Sequence, residues 1–236
     1  MTHLKTLSEA FRQAAKDYLL LVERDYARGS ALKLVGDRYQ LTSVQRSILY
    51  RGISSAHEAE SRSAKQTVAV TGLRVHVDAL NVLYTLANYL YGRVVFISTD
   101  GWVRDAGEAH GRKTPSPAAK RGTLFEAALV KTFDWLAERR PSCTAFYIDE
   151  PVSMSGLLAV RLRKALVDAA LEGKVSTVPS ADFILKRIED GVVATSDSTI
   201  IDCATRPVCD MAHEILTSRF SPELIDLREL VRGGAK

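Results

Sequence analysis

Cysteine is scarce in this chain. Its 236 residues hold three, Cys143, Cys203 and Cys209, with no CxxC pair and no spacing suited to zinc. A thiolate metal centre and a disulfide framework are therefore excluded, and the thiols read as reduced. Asparagine is scarcer still, with only Asn81 and Asn88, a composition that agrees with a heat-adapted source. No apolar run approaches the roughly 18 to 20 residues that a membrane span requires. The N-terminus opens on an amphipathic stretch containing Glu9 and Asp17, so neither a signal peptide nor a transit peptide is expected. Cytoplasmic residence is the default expectation, with no membrane partner.

What remains is ordinary globular material. Hydrophobic residues make up 46% and charged residues 25%, enough apolar surface to bury a core. The length suits one large domain, or a small one joined to a medium one. The net charge of +4 is unevenly placed: residues 1–65 hold 11 of the 32 basic residues and 7 of the 28 acidic ones, which leaves 21 of each sign in the remainder. A positive N-terminal segment suits a phosphate-binding appendage, and a solvated helical surface explains it equally.

Residues 6–28 have helical spacing through Leu7, Phe11, Ala14, Tyr18 and Leu21, with Thr6 and Glu9 as a capping box and Gly29 as the stop. Ser30 caps a short helix through Asp37, and Thr42 with Gln45 opens a third. Two short helices, the second bearing Arg46 and Arg51, resemble a helix-turn-helix; a plain helical bundle is the alternative. Residues 54–66 read as a linker or a frayed helix end. From residue 68 short β-branched runs alternate with helical stretches. The runs are Leu73–Val77, Val94–Ser98, Thr144–Ile148, Val175–Val178 and Val192–Thr195, with a further candidate at Val68–Val70 in a hairpin around Thr71-Gly72. The expected fold is α/β: a mainly parallel central sheet with helices on both faces, preceded by a small all-helical module. The expected domains are 1–65 and 66–236.

Most of these runs lead straight into an aspartate: Asp78, Asp100, Asp149 and Asp197, with Asp182 in the first turn after the fourth. In an open α/β sheet the ligand crevice lies at the carboxyl ends of the strands, so these side chains should share one rim. Crowded carboxylates oppose one another's ionisation, and a hard divalent cation such as Mg²⁺ or Mn²⁺ relieves that repulsion. Each position also has a plainer reading, since an Asp after a strand often caps the next helix.

Val77-Asp78-Ala79-Leu80-Asn81-Val82-Leu83 resembles the D-x-x-N-x-L motif of PIN-like and NYN-type nucleases. Ser180-Ala181-Asp182-Phe183-Ile184-Leu185 resembles their A-D-x-x-[IL] motif, and Ala194-Thr195-Ser196-Asp197 their late T-[SN]-D motif. The resemblance covers residues 68–220. The whole chain is similar to a largely uncharacterised prokaryotic family that pairs a small helical module with such a domain. The resemblance implies a PIN-like fold and a metal-dependent nuclease whose ligands are Asp78, Asp182 and Asp197. Asp149, at the end of a strand expected beside the first, is the next candidate, and Asp202, five residues past Asp197, reaches the rim if the helix starts at once. The resemblance also implies that Asn81 orients a ligand or contacts phosphate, with Ser196 beside it as a nucleic-acid contact. A turn-backbone bond is the alternative for Asn81. Asp100 and Asp105 depart from the pattern; either they extend the metal site or they pin the following basic loop through Arg104.

That loop carries Arg104, Arg112, Lys113, Lys120 and Arg121. Starting from the same rim, it could hold a nucleic-acid backbone, with Trp102 stacking a base; a surface loop and a half-buried Trp are the alternatives. The expected activity is phosphodiester hydrolysis, of RNA rather than DNA by family analogy alone. Two other classes stand beside it: a nucleic-acid-binding protein that keeps the fold without turnover, and an aspartyl phosphotransferase. The latter lacks its D-x-D-x-[TV] signature, because Ala79 and Leu80 follow Asp78. Homo-oligomerisation is compatible with the sequence.

Overall fold

The computed structural model describes residues 8–107, 118–220 and 222–232, with the side chains of 118–121 and 123 outside the description. The chain packs as two units, one drawn from residues 1–64, 88–115 and 223–236, the other from 65–87 and 116–222.

The first unit begins with four helices, α1 (Glu9–Glu23), α2 (Arg28–Arg38), α3 (Ser43–Gly52) and α4 (Ala56–Ser63). Thr6 lies outside the described residues, and Ser8 caps α1 by accepting from the Phe11 amide. The helix stops at Glu23, ahead of the expected Gly29, because Asp25 turns the backbone to φ 58°. Its buried face is Phe11, Ala14, Ala15, Tyr18 and Val22. The Thr42–Gln45 capping box forms as the sequence implies. Residues 54–66 are corrected: Ser55 and Glu58 make a second reciprocal capping box, and α4 follows.

The same unit holds strands β2 (Val95–Ile97), β3 (Val103–Asp105) and β8 (Ile225–Asp226), in the order β3-β2-β8. Strand β2 pairs antiparallel with β3 and parallel with β8. Its Phe96 packs into the helical core with Ile48, Leu49, Ile53 and with Leu227 of the terminal helix α11 (Leu227–Arg232). Gly52 sits where any side chain would run into Phe96 and Leu227. The Val94–Ser98 run is thus a strand, but of a separate sheet, which corrects the expectation that Asp100 and the loop after it rise from the rim of the main sheet.

The second unit is built on β1 (Arg74–Asp78), β4 (Cys143–Asp149), β5 (Gly173–Val178), β6 (Val192–Ala194) and β7 (Val208–Cys209). All pair in parallel, in the order β5-β4-β1-β6-β7. Consecutive residues of β1 and β4 are buried; since they point to opposite faces, both faces of the sheet are covered. The connecting helices are α5 (Ala79–Leu90), α6 (Ala118–Arg139), α7 (Ser155–Asp168), α8 (Ala181–Leu185), α9 (Ser198–Cys203) and α10 (Met211–Phe220). Strand order runs from β1 outward to β4 and β5, then restarts on the other side with β6 and β7. The reversal falls between β1 and β6, where an open α/β sheet leaves its crevice. Val68–Val70 is no strand; Thr71 and Gly72 form a turn, Gly72 at φ 69°, and its amide donates to the Arg140 carbonyl.

Asp100 is a structural residue of the first unit. Its buried carboxylate accepts from Arg62 Nη1 at 2.9 Å, from Arg104 Nη1 at 2.8 Å and from Arg104 Nη2 at 2.9 Å. Burial would raise its pKa, but Arg104, Ser98 and Arg62 hold it at about 2. Asp100→Ala would remove the carboxylate that two buried guanidinium groups share, and we expect a loss of about 3–5 kcal/mol in urea unfolding at neutral pH. Because the folded pKa lies below the unfolded one, this contribution is complete above pH ~4 and fades as pH falls toward about 2, so wild type and variant should converge on acidification.

Candidate functional site

Asp78 ends β1 at the strand reversal and is 5% exposed. Its Oδ1 accepts from the Asn81 amide at 3.2 Å, as a carboxylate opening a helix does, and its Oδ2 accepts from Thr195 Oγ1 at 3.0 Å. Thr195 follows β6, so this bond ties the two strands that flank the crevice. A second tie lies beside it: Asn81 Oδ1 accepts from the Ser196 amide at 2.8 Å and from Ser196 Oγ at 3.1 Å. The D-x-x-N and T-S-D motifs are therefore one hydrogen-bonded unit. The turn-backbone bond that was the alternative for Asn81 forms through its amide oxygen, and Ser196, buried, faces that bond.

Asp197 follows directly. Its Oδ1 accepts from Thr199 N at 2.7 Å, Thr199 Oγ1 at 2.7 Å and Ile200 N at 3.4 Å, capping α9. Asp149, at the end of β4, accepts from the Ala181 amide at 2.7 Å through its Oδ1 and so starts α8. Asp182 stands in the first turn of α8, where Lys186 Nζ lies 3.6 Å from its Oδ2 and Thr199 Oγ1 3.5 Å. Asp197 caps α9 and Asp149 accepts from the first amide of α8, whose N-cap is Ser180, while Asp182 caps no helix; these bonds fix the carboxylates without using them up. Among the described residues, Asp149 Oδ2, Asp182 Oδ1 and Asp197 Oδ2 have no hydrogen-bond donor.

The charges feel one another. Burial pushes the Asp78 carboxyl up to about 7; the Asn81 and Thr195 hydrogen bonds oppose that, and the charges of Asp197 and Asp182 add to it. Asp182 is raised as well, by burial first, then by Asp197, with Lys186 opposing and Asp149 adding. The structure thus brings Asp78, Asp182, Asp197 and Asp149 into one electrostatic group on one rim of one sheet. Among the described residues no three His, Cys, Asp or Glu side chains stand close enough to hold a single ion.

The other expected residues fall elsewhere. Asp202 is exposed on α9, where its carbonyl accepts from Lys65 Nζ at 2.9 Å, and it is not among the leading charges on Asp78 or Asp182. Trp102 is 0% exposed, which removes it as a stacking platform, and Arg104 is buried against Asp100. Both fill the first unit's core because β2 and β3 form a sheet that the sequence does not announce. Arg112 and Lys113 lie outside the described residues. Lys120 and Arg121 lie in α6, with their side chains outside the description.

Two contributors escaped the sequence reading. Thr195 stood inside a quoted motif without a role, and the hydrogen bond to Asp78 supplies it. Lys186, one turn after Asp182, balances that carboxylate at helical i,i+4 spacing. Away from these carboxylates, Asp210 follows β7 and accepts from the His213 amide at 3.0 Å, so a further strand also runs into an aspartate. The two residues of β7 are too few to show a strand period.

The Asp78 burial has a measurable consequence. Its folded pKa lies above its unfolded one, so its contribution is favourable at low pH and is lost as pH rises through about 7. Without divalent cation, Asp78→Asn should be more stable than wild type at pH 8, by up to roughly 4 kcal/mol. The gap should close as pH falls toward 4, and thermal melts in EDTA across that range measure it.

Comparison with known proteins places the chain. Residues 67–214 match the domain family described as Domain of unknown function (DUF5616), and residues 10–65 match Protein of unknown function (DUF434). The Uncharacterized protein MJ0935 of Methanocaldococcus jannaschii is 28% identical over 194 residues, which cover 81% of this chain and 89% of that protein. No solved structure matches the chain.

Proposed function

The chain belongs to the DUF5616 family, and for this member we propose that it is a divalent-metal-dependent nuclease with a PIN-like domain, acting on RNA. The observation that carries the reading is the state of Asp78: a buried carboxylate, pushed up to about 7, with two further aspartates adding to the burden. Among the described residues no cationic side chain is hydrogen-bonded to it, and its two donors are an amide and a hydroxyl. Such a group is stabilised by a cation brought from outside. The parallel sheet, the strand reversal between β1 and β6, and the three motifs that meet there all support the same reading.

In this reading one or two of Asp78, Asp182 and Asp197 would hold a hydrated ion, with Asp149 alongside and water completing the shell. Bound Mg²⁺ or Mn²⁺ would supply charge neutralisation and an activated water for attack on a phosphodiester. The chain's own work is positional. Thr195 aims Asp78, the Asn81–Ser196 bonds hold the turn that presents Asp197, and the Asp149 cap sets the start of the helix that presents Asp182.

The test uses purified full-length chain with end-labelled single-stranded and structured RNAs in Mg²⁺ or Mn²⁺. Metal-dependent cleavage is expected, lost in EDTA and in Asp78→Asn, while Thr195→Val should lower metal affinity or activity about 10–100-fold as an orienting partner does. Cleavage unchanged in Asp78→Asn would reject the reading. One observation favours a second reading, a nucleic-acid-binding protein without turnover: no three described ligating side chains converge as they stand. RNA binding with no cleavage under any divalent metal is the result that reading expects.

A further inference from the structure

Phe183 follows Asp182 in the first turn of α8 and is 56% exposed. A lone exposed apolar side chain is common on a protein surface, but this ring is held. The Arg187 guanidinium carbon lies 3.6 Å from the ring centroid, face-on, and Arg187 Nη1 donates to the Phe183 carbonyl at 2.7 Å. One face of the ring is therefore covered by a cation anchored to the ring's own backbone, and the rest is open to solvent. Lys186 lies between them in sequence, with its ammonium 3.6 Å from Asp182 Oδ2. Within six residues the chain sets down a site carboxylate, an open aromatic face and two cations.

Each part has a use that the others complete. An aromatic face accepts an unpaired base of any identity, because every base has a π-face. A guanidinium on the far side of the ring adds a cation–π contribution. The two cations next to the acidic rim offer a phosphate backbone somewhere to rest, which the carboxylates alone would repel. A base inside a duplex is already stacked on both sides and cannot lie on the ring.

We propose that Phe183, backed by Arg187, is a stacking platform for an unpaired base of a single-stranded nucleic acid, with Lys186 and Arg187 as its phosphate contacts. The platform selects single-stranded over duplex substrate at the carboxylate rim. This rests on the nucleic-acid reading of that rim, and it assigns the stacking role to Phe183 in place of Trp102, which is buried.

The test is binding, measured so that cleavage plays no part. Full-length Asp78→Asn in EDTA is titrated into fluorescein-labelled single-stranded RNA, single-stranded DNA of the same sequence and the matching RNA duplex, followed by anisotropy. Single strands should bind more tightly than duplex. Adding Phe183→Ala should weaken single-strand binding about tenfold, in line with the loss of one base–aromatic stack, and Phe183→Trp should restore it. Duplex binding should not change with either substitution, and RNA and DNA arms that respond alike would show that the base, and not the sugar, is read. A ligand with abasic sites throughout should bind equally well whether or not the chain carries Phe183→Ala. Single-strand affinity unchanged in Phe183→Ala, or equal losses on duplex and single strand, overturns the proposal. Absence of cleavage in the wild type would count against the nuclease reading while leaving these binding outcomes as decisive as before.

Discussion

A carboxylate removed from water needs a partner, and the candidate site is organised around one whose protein partners fall short. Asp78 has an amide and a hydroxyl as donors and two aspartates as neighbours, and its carboxyl is pushed up to about 7. Every other feature of the rim follows from holding that group in place. The β1–β4 and β1–β6 pairings bury it, the Thr195 bond orients it, and the Asn81–Ser196 bonds lock the turn that brings the Asp197 charge near. A strained electrostatic arrangement of this kind marks a site poised for an ion or a proton more often than a scaffold.

The contrast with Asp100 sharpens the point. Both residues follow a strand, both are buried, and their carboxyls are driven in opposite directions. Asp100 is met by Arg62 and Arg104 and is held at about 2; it is a fully compensated ion that ties helix to strand. Among the described residues Asp78 meets no guanidinium, and it is raised to about 7. The same residue type is compensated by arginine in one unit and, among the described residues, is hydrogen-bonded only to an amide and a hydroxyl in the other. Burial explains neither outcome without the neighbours.

The sequence disclosed much of the second unit and little of the first. Strands β1, β4 and β6 show as apolar runs because both faces are buried and the runs are nearly continuous. The aspartates after them were legible for the same reason: a nearly continuous apolar run marks where its strand ends. The three-stranded sheet was not legible. Two of its strands have three residues and the third has two, and β8 pairs with β2 across more than half the chain. No local period reports a pairing made at that separation. Without that sheet, Trp102 and Arg104 look like residues of an exposed basic loop; within it they are core and ion pair. The capping box at Ser55 and Glu58 was present in the sequence, but the small polar residues around it masked the helix it starts.

The most direct check on the central claim is anomalous scattering from crystals of the full chain soaked in Mn²⁺. The account predicts an ion at the end of β1, about 2.1 Å from an oxygen of Asp78 and shared with Asp182 or Asp197, with water filling the remaining positions. A soaked crystal whose Asp78 carboxylate stays bonded only to Asn81 and Thr195, with no manganese beside it, would contradict it.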